Sequence, residues 1–286
     1  MAKTLSPRIY YCVDIYERIT AFYQRARTEK RIVGKSLLGR NIYAVKIGNG
    51  RPTGIVQYAI HGREYITARL AETHFITGGV TGSCWLVPLL NPDGALLSQC
   101  GLSSVKDEKL RAELTMLNGG EDFSLWKANA RGVDLNVNFA AFWGKGKTNV
   151  RYAGAENYIG AYPFSEVETQ ALKRFTKEIN PDYTVSYHTK GEEIYWYFYQ
   201  SMRTCPRDKR LAQALSETTG YPLGDARGSA GGYKDWCIQA LGIPSFTIEA
   251  GDDALSHPIG ETDLDDIIRK NQFVIQKLSA AYAAIL

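Results

Sequence analysis

The sequence has little charge of either sign to spare and few histidines. Its 34 lysines and arginines stand against 30 aspartates and glutamates, a net charge of +4, and it has four histidines. The basic residues are scattered and form no arginine-rich arm, which argues against nucleic acid as a partner. Long hydrophobic runs are missing: none approaches the roughly 18–20 residues that a membrane span requires. No membrane anchor is expected. Cysteine is sparse and odd in number, at Cys12, Cys84, Cys100, Cys205 and Cys237, with wide spacing and no CxxC. That excludes a disulfide framework and a cysteine-based metal ribbon. Buried free thiols and a reducing compartment fit this usage. Met1 to Tyr11 has no apolar core and no small-residue cleavage site, so it does not read as a secretory signal, and a cytoplasmic location is expected. Internal repeats, low-complexity tracts and Pro/Ser-rich linkers are also absent. A single domain over residues 1–286 is the simplest organisation, with residues 1–30 as an N-terminal helical segment packed on it.

What is present is an ordinary globular balance, 44 % apolar and 22 % charged residues. Ser6-Pro7 reads as a helix start. Ile9, Val13, Tyr16 and Ile19 then recur at helical spacing. Ile42 to Ile47 and Gly54 to Ile60 read as strands around a Gly48–Pro52 turn, and suit a hairpin. Ile66 to Phe75 reads as a helix, Cys84 to Leu90 as a buried strand, and Val105 to Leu117 as an exposed helix. Phe123 to Phe139 reads as an ordered loop. Ser165 to Ile179 is a predicted helix with Ser165 and Glu168 as a capping box. Strands are predicted at Tyr183–Tyr187, Glu192–Tyr199 and Ser245–Glu249. Helices are predicted at Lys209–Thr219, Gly232–Ala240 and Leu264–Ile285. This alternation is that of an α/β fold with a largely parallel or mixed sheet. In such sheets, sites gather at the carboxyl ends of strands.

Two of the four histidines end apolar strands. His61 follows Ile55-Val56-Gln57-Tyr58-Ala59-Ile60, and His188 follows Tyr183-Thr184-Val185-Ser186-Tyr187. Glu64 lies three residues after His61. That spacing lets an imidazole and a carboxylate converge on one ion around a tight turn, and His188 can supply a third ligand from a neighbouring strand. Two His and one Glu form a catalytic zinc set with a position left for water. One zinc ion is therefore the expected cofactor, to acidify that water and polarise a carbonyl. Such chemistry needs a base. Glu249 closes a third apolar strand, Ser245-Phe246-Thr247-Ile248, where a carboxylate is costly without a task or a partner. His74, on a predicted helix, reads as a packing or surface residue.

These residues stand in the order found in the zinc carboxypeptidase (funnelin-type) metallopeptidases, which the sequence resembles over roughly residues 30 to 286. Asn91-Pro92-Asp93-Gly94, Gly132-Val133-Asp134-Leu135-Asn136, and Gly231-Gly232 before Asp235-Trp236 match in family order. Within the family the likeness is to bacterial peptidases that cleave γ-D-glutamyl bonds to a diamino acid such as meso-diaminopimelate. It is carried by Trp126 to Gly132, by His188 to Trp196, and by Glu156 to Gly160 followed by Pro163 to Glu166. The resemblance implies a central mixed, mostly parallel sheet of about eight strands flanked by helices. It implies His61, Glu64 and His188 as zinc ligands, Glu249 as general base, and Asp134 behind His61 holding its second nitrogen.

Departures from the digestive carboxypeptidase pattern shape the expected specificity. Val137 stands in Asn136-Val137-Asn138 where that pattern has an arginine to clamp a terminal carboxylate, which valine cannot do. Lys127 replaces the arginine that polarises the scissile carbonyl; a lysine still stabilises an oxyanion as a point charge. Asn136 is a candidate substrate contact. Arg227 and Lys234, at positions that line the family's substrate pocket, are candidate readers of the diamino acid's second carboxylate. The expected partner is a small muropeptide stem, cut between γ-D-glutamate and diaminopimelate or L-lysine. Two other readings follow from the same residues: a carboxypeptidase for acidic C-terminal residues, and a catalytically silent muropeptide-binding protein.

Overall fold

The structure, a computed structural model, describes residues 14–224 and 228–285. The strands in chain order are β1 (Lys30–Lys35), β2 (Asn41–Gly48), β3 (Thr53–Tyr58), β4 (Ser83–Val87), β5 (Tyr183–His188), β6 (Glu193–Tyr195), β7 (Leu223–Gly224) and β8 (Ser245–Glu249). The helices are α1 (Ile15–Arg25), α2 (Ala68–Thr77), α3 (Pro92–Cys100), α4 (Glu108–Asn118), α5 (Val167–Ile179), α6 (Cys205–Thr219), α7 (Tyr233–Leu241), α8 (Leu264–Asn271) and α9 (Val274–Ala283). All eight strands join one mixed sheet in the order β1-β2-β4-β3-β5-β8-β6-β7. The expected α/β architecture with about eight strands is thus borne out. The apolar runs supply the central strands β4, β3, β5 and β8, which are mutually parallel.

These strands lack a polar face because helices cover both sides. Successive residues of a strand feed opposite layers. Ile55 and Trp85 pack with Leu172 and Phe175 of α5 and Trp236 of α7. Their neighbours Val56 and Leu86 pack with Leu70 of α2, Leu215 of α6 and Leu278 of α9. Parallel β3, β5 and β8 end on one edge of the sheet, and that edge carries His61, His188 and Glu249.

Several expectations need correction. β2 and β3 form no hairpin: β4 lies between them, antiparallel to β2 and parallel to β3. The Gly48–Pro52 turn receives the start of β4 instead, with Ser83 N donating to Pro52 O at 2.9 Å and Ser83 Oγ to Gly50 O at 2.8 Å. β1 and α3 were not anticipated. β1 is a charged edge strand with few apolar residues, and α3 starts within the Asn91-Pro92-Asp93-Gly94 motif; the Asn91 side chain accepts from Gly94 N at 2.9 Å as its cap. Ser165 and Glu168 form no capping box. Ser165 Oγ donates to Glu166 and the Glu168 carboxylate accepts from Leu37 N, so both are spent elsewhere. Glu192–Tyr199 contracts to the three residues of β6. Leu264–Ile285 is two helices, because the Asn271 carbonyl accepts from His74 Nε2 at 2.9 Å instead of continuing the helical ladder. Ser6, Pro7, Ile9, Cys12 and Val13 lie outside the described residues. Cys84 and Cys237 are buried, Cys205 is half-buried and Cys100 is exposed. No described helix is long and apolar enough to cross a membrane.

His74 is the packing residue expected, and it is fully buried. The Asn271 carbonyl can only accept, so Nε2 carries the proton, and Nδ1 accepts from the Tyr58 hydroxyl at 2.6 Å. Burial pushes this imidazole down to about 4, against a small opposing effect of the Asn271 carbonyl. The unfolded chain therefore takes up the proton first. The stability contributed by neutral His74 is complete above the unfolded value near 6.5 and drains away as pH falls toward 4. The loss from this group reaches about 3 kcal/mol. Urea unfolding between pH 7.5 and 4.5 is expected to show a steeper loss for the wild-type chain than for His74→Gln. Parallel curves for the two would refute it.

Candidate active site

β3 delivers His61, whose backbone stays extended (φ −96°, ψ 136°) before the chain tightens into a 3-10 turn over Gly62–Thr67. Glu64 N donates to His61 O at 3.2 Å, and the turn brings Glu64 Oε1 to 2.9 Å from His61 Nδ1. Gly62 is required here. Its N–H donates to Lys127 O at 2.9 Å, and a Cβ would lie 2.4 Å from Gly94 O and 2.6 Å from Trp126 O. Asn91 staples the same crossing, donating through Nδ2 to Ile60 O and Ala128 O, both at 3.1 Å. From β5, His188 Nδ1 comes to 3.0 Å from Glu64 Oε2 and 3.1 Å from His61 Nδ1.

The His61, Glu64 and His188 ligand atoms lie within 4.8 Å of one another and all three residues are buried. Among the described residues this is the one such cluster. Two imidazole nitrogens and one carboxylate, converging on one point, are a donor set suited to zinc. Burial opposes ionisation of Glu64, but His61 and His188 outweigh it and hold its carboxyl well below the usual range. The residue therefore stays anionic, as a ligand must.

Asp134 stands behind His61. It is fully buried, with Oδ1 3.2 Å from His61 Nε2 and Oδ2 3.0 Å from Lys127 Nζ. Asn136 N and Asn157 N also donate to it, at 3.0 and 3.2 Å. Burial works against the charge of Asp134, yet Lys127 and His61 overcome it and depress its carboxyl far below the ordinary value. Burial likewise disfavours the Lys127 ammonium, and Asp134 and Glu64 more than restore it. The sequence singles out Asp134 and Lys127 separately; the structure makes them partners.

Glu249 ends β8 and pairs in register with His188 on β5 and Glu193 on β6. Burial pushes its carboxyl up to about 7; His188 pulls it down and Glu64 up. A group that exchanges protons near neutrality suits general acid–base work. Glu249, Asn136 and Lys234 line one cavity of about 340 Å³. Asn136 Oδ1 is committed to Tyr233 N at 3.2 Å, tying the loop to the start of α7. Lys234 Nζ lies 2.6 Å from Asp235 Oδ1 and 3.3 Å from Tyr197 O. Arg227 lies outside the described residues.

Sequence reasoning missed two features. The Asp235 carboxylate that neutralises Lys234 had been seen only as part of a motif. His257, which no motif marks, donates through Nε2 to Thr189 O at 3.1 Å and lies 3.0 Å from Thr189 Oγ1, next to the candidate ligand His188. Only the fold brings residues 189 and 257 together.

Residues 81–272 match the zinc carboxypeptidase family, Peptidase_M14. The chain belongs to that family. The match to the zinc carboxypeptidases includes His188 and Glu249 and begins after His61 and Glu64, which the fold supplies to the same place. Gamma-D-glutamyl-L-diamino acid endopeptidase 1 of Lysinibacillus sphaericus is 32 % identical over 251 residues, 81 % of this chain. The chain spans 62 % of that relative's length. The structure of murein-tripeptide amidase MpaA from Escherichia coli O157 superposes with a TM-score of 0.61 at 25 % identity, covering 90 % of this chain and 94 % of the other. Bovine thrombin-activatable fibrinolysis inhibitor shares the fold, with a TM-score of 0.74 at 20 % identity and 95 % coverage of both chains.

Proposed function

We propose that this chain is a zinc peptidase that hydrolyses the bond between γ-D-glutamate and a diamino acid, meso-diaminopimelate or L-lysine, in small peptidoglycan-derived peptides. The observation that carries the hydrolytic part is the in-register pairing of Glu249 with His188. It sets a carboxyl that exchanges protons near neutrality on the edge where His61, Glu64 and His188 converge, bordering a substrate-sized cavity. The substrate class is supported by the likeness to the endopeptidase of Lysinibacillus sphaericus and to the murein-tripeptide amidase. Val137, in place of a carboxylate-clamping arginine, fits a substrate not chosen by its C-terminus.

In this reading His61, Glu64 and His188 hold one zinc ion, which supplies Lewis-acid polarisation of the scissile carbonyl and lowers the pKa of water at the site. Glu249 takes the proton of the attacking water and returns it to the leaving amine. Asp134 fixes the His61 ring through its Nε2 and holds the Lys127 ammonium beside it. Lys127 adds positive charge where the carbonyl oxygen gains electron density. Asn136 contributes to the cavity wall on which the diamino acid rests.

The test is mass spectrometry of products from zinc-loaded protein and L-Ala-γ-D-Glu-meso-diaminopimelate. Release of the free diamino acid, abolished by a chelator, is the expected result. Cleavage of ordinary peptides ending in glutamate, with this peptide left intact, would replace the proposal with an acidic carboxypeptidase. Binding without cleavage of either would leave a muropeptide-binding protein.

A further inference from the structure

The charges in the 340 Å³ cavity are unevenly committed. Lys234 is the cation that the sequence offered as reader of an anionic substrate group. It is buried, and its ammonium sits 2.6 Å from Asp235 Oδ1, with Phe198 beneath it at 5.2 Å. Asp235 in turn accepts from Gly232 N at 3.0 Å, so it is held in place. The Lys234 ammonium is already spent on Asp235 Oδ1 and Tyr197 O, and drawing it away would bare a buried carboxylate. Lys234 is therefore a wall of the cavity.

Lys147 lines the same cavity and differs in each respect. It is exposed, and among the described residues its ammonium has no carboxylate partner. The hydroxyls of Thr148 and Ser229, also on the cavity wall, have no hydrogen-bond partner among the described residues either. The two loops that carry them are locked together. Lys147 N donates to Gly228 O at 2.8 Å, and the lysine stem lies along the Gly228 backbone. A Cβ at Gly228 would come within 2.7 Å of Lys147 Cδ, and its φ of +96° is one that favours glycine. The stem thus has a seat, and Lys147, Thr148 and Ser229 line the same cavity as Glu249.

We infer that Lys147, with Thr148 and Ser229, forms an anion subsite that reads the carboxylate at the far end of the diamino acid side chain. This rests on the function proposed above and names the residue that sets its preference. A charge-assisted contact of this kind carries about 10- to 100-fold in discrimination.

The experiment compares L-Ala-γ-D-Glu-meso-diaminopimelate with L-Ala-γ-D-Glu-L-Lys, which differ by that one carboxylate. Zinc-loaded wild-type protein is expected to prefer the diaminopimelate peptide. Lys147→Met should shrink the preference by about 10- to 100-fold, with the loss in KM, and Lys147→Arg should restore most of it. Dissociation constants of both peptides on the zinc-loaded Glu249→Gln protein, with and without Lys147→Met, read the same contact without turnover. Failure of cleavage alone would sink the proposed peptidase activity, whereas this binding ratio judges the subsite. An unchanged ratio in Lys147→Met, equal binding of the two peptides before it, or a collapse on Arg227→Met or Lys234→Met in its place would overturn the assignment.

Discussion

Glu249→Gln is expected to lower kcat on the diaminopimelate peptide by about 10²- to 10⁴-fold, the range that a positioned general base supplies. The amide keeps the shape of the side chain and removes only its ability to accept and return a proton. Neither the fold nor the metal should change much. Glu249 sits at the end of a paired strand, in register with His188 and Glu193, so its backbone is held from both sides. Metal is assigned to His61, Glu64 and His188, whose ligand atoms converge without it. Zinc content measured by atomic spectrometry should therefore stay near one equivalent while turnover falls. Activity within a few-fold of wild type would remove Glu249 from the base role. Loss of zinc together with turnover would make it a ligand instead.

The site was legible because its residues terminate apolar runs. Ile55 to Ile60 before His61, Tyr183 to Tyr187 before His188, and Phe246 to Ile248 before Glu249 read as strands, and parallel strands share one carboxyl edge. Periodicity could not show which strands are neighbours. β2 and β3 look like a hairpin because four residues separate them, yet β4, from the other side of α2, is inserted between them. Edge strand β1 was invisible for a different reason: an edge buries little, so Lys30-Arg31-Ile32-Val33-Gly34-Lys35 carries no apolar run. Residue types also said nothing of how charges are shared. Lys127 and Lys234 both read as cations free to meet a substrate. The structure shows each held by a carboxylate, Asp134 at 3.0 Å and Asp235 at 2.6 Å. Lys147 stood in a loop with no motif to mark it, and only the cavity drew it out.

Removing Asp134 should cost more stability than any other single change at the site. Asp134→Ala would strand the Lys127 ammonium, whose side chain is 17 % exposed, and take away the carboxylate that stands 3.2 Å from His61 Nε2. The N–H groups of Asn136 and Asn157 would lose theirs as well. Breaking a buried pair by removing one partner costs about 3–5 kcal/mol, because the other charge is left uncompensated. Zinc affinity should fall by about 10- to 100-fold as the His61 ring loses its brace. Two measurements separate these effects: urea unfolding of the metal-free protein, and competition with a chelator for zinc. The double variant Asp134→Asn with Lys127→Met distinguishes the cause. It keeps an acceptor for the backbone and for His61 and removes the stranded ammonium, so it should be markedly more stable than Asp134→Ala, since an uncharged replacement of a buried pair is often close to neutral. Its zinc affinity should lie between those of Asp134→Ala and the wild type, because an amide oxygen orients the ring without adding charge to it. If the double variant unfolds as easily as Asp134→Ala, the buried lysine is not the source of the loss, and the orphaned backbone donors are.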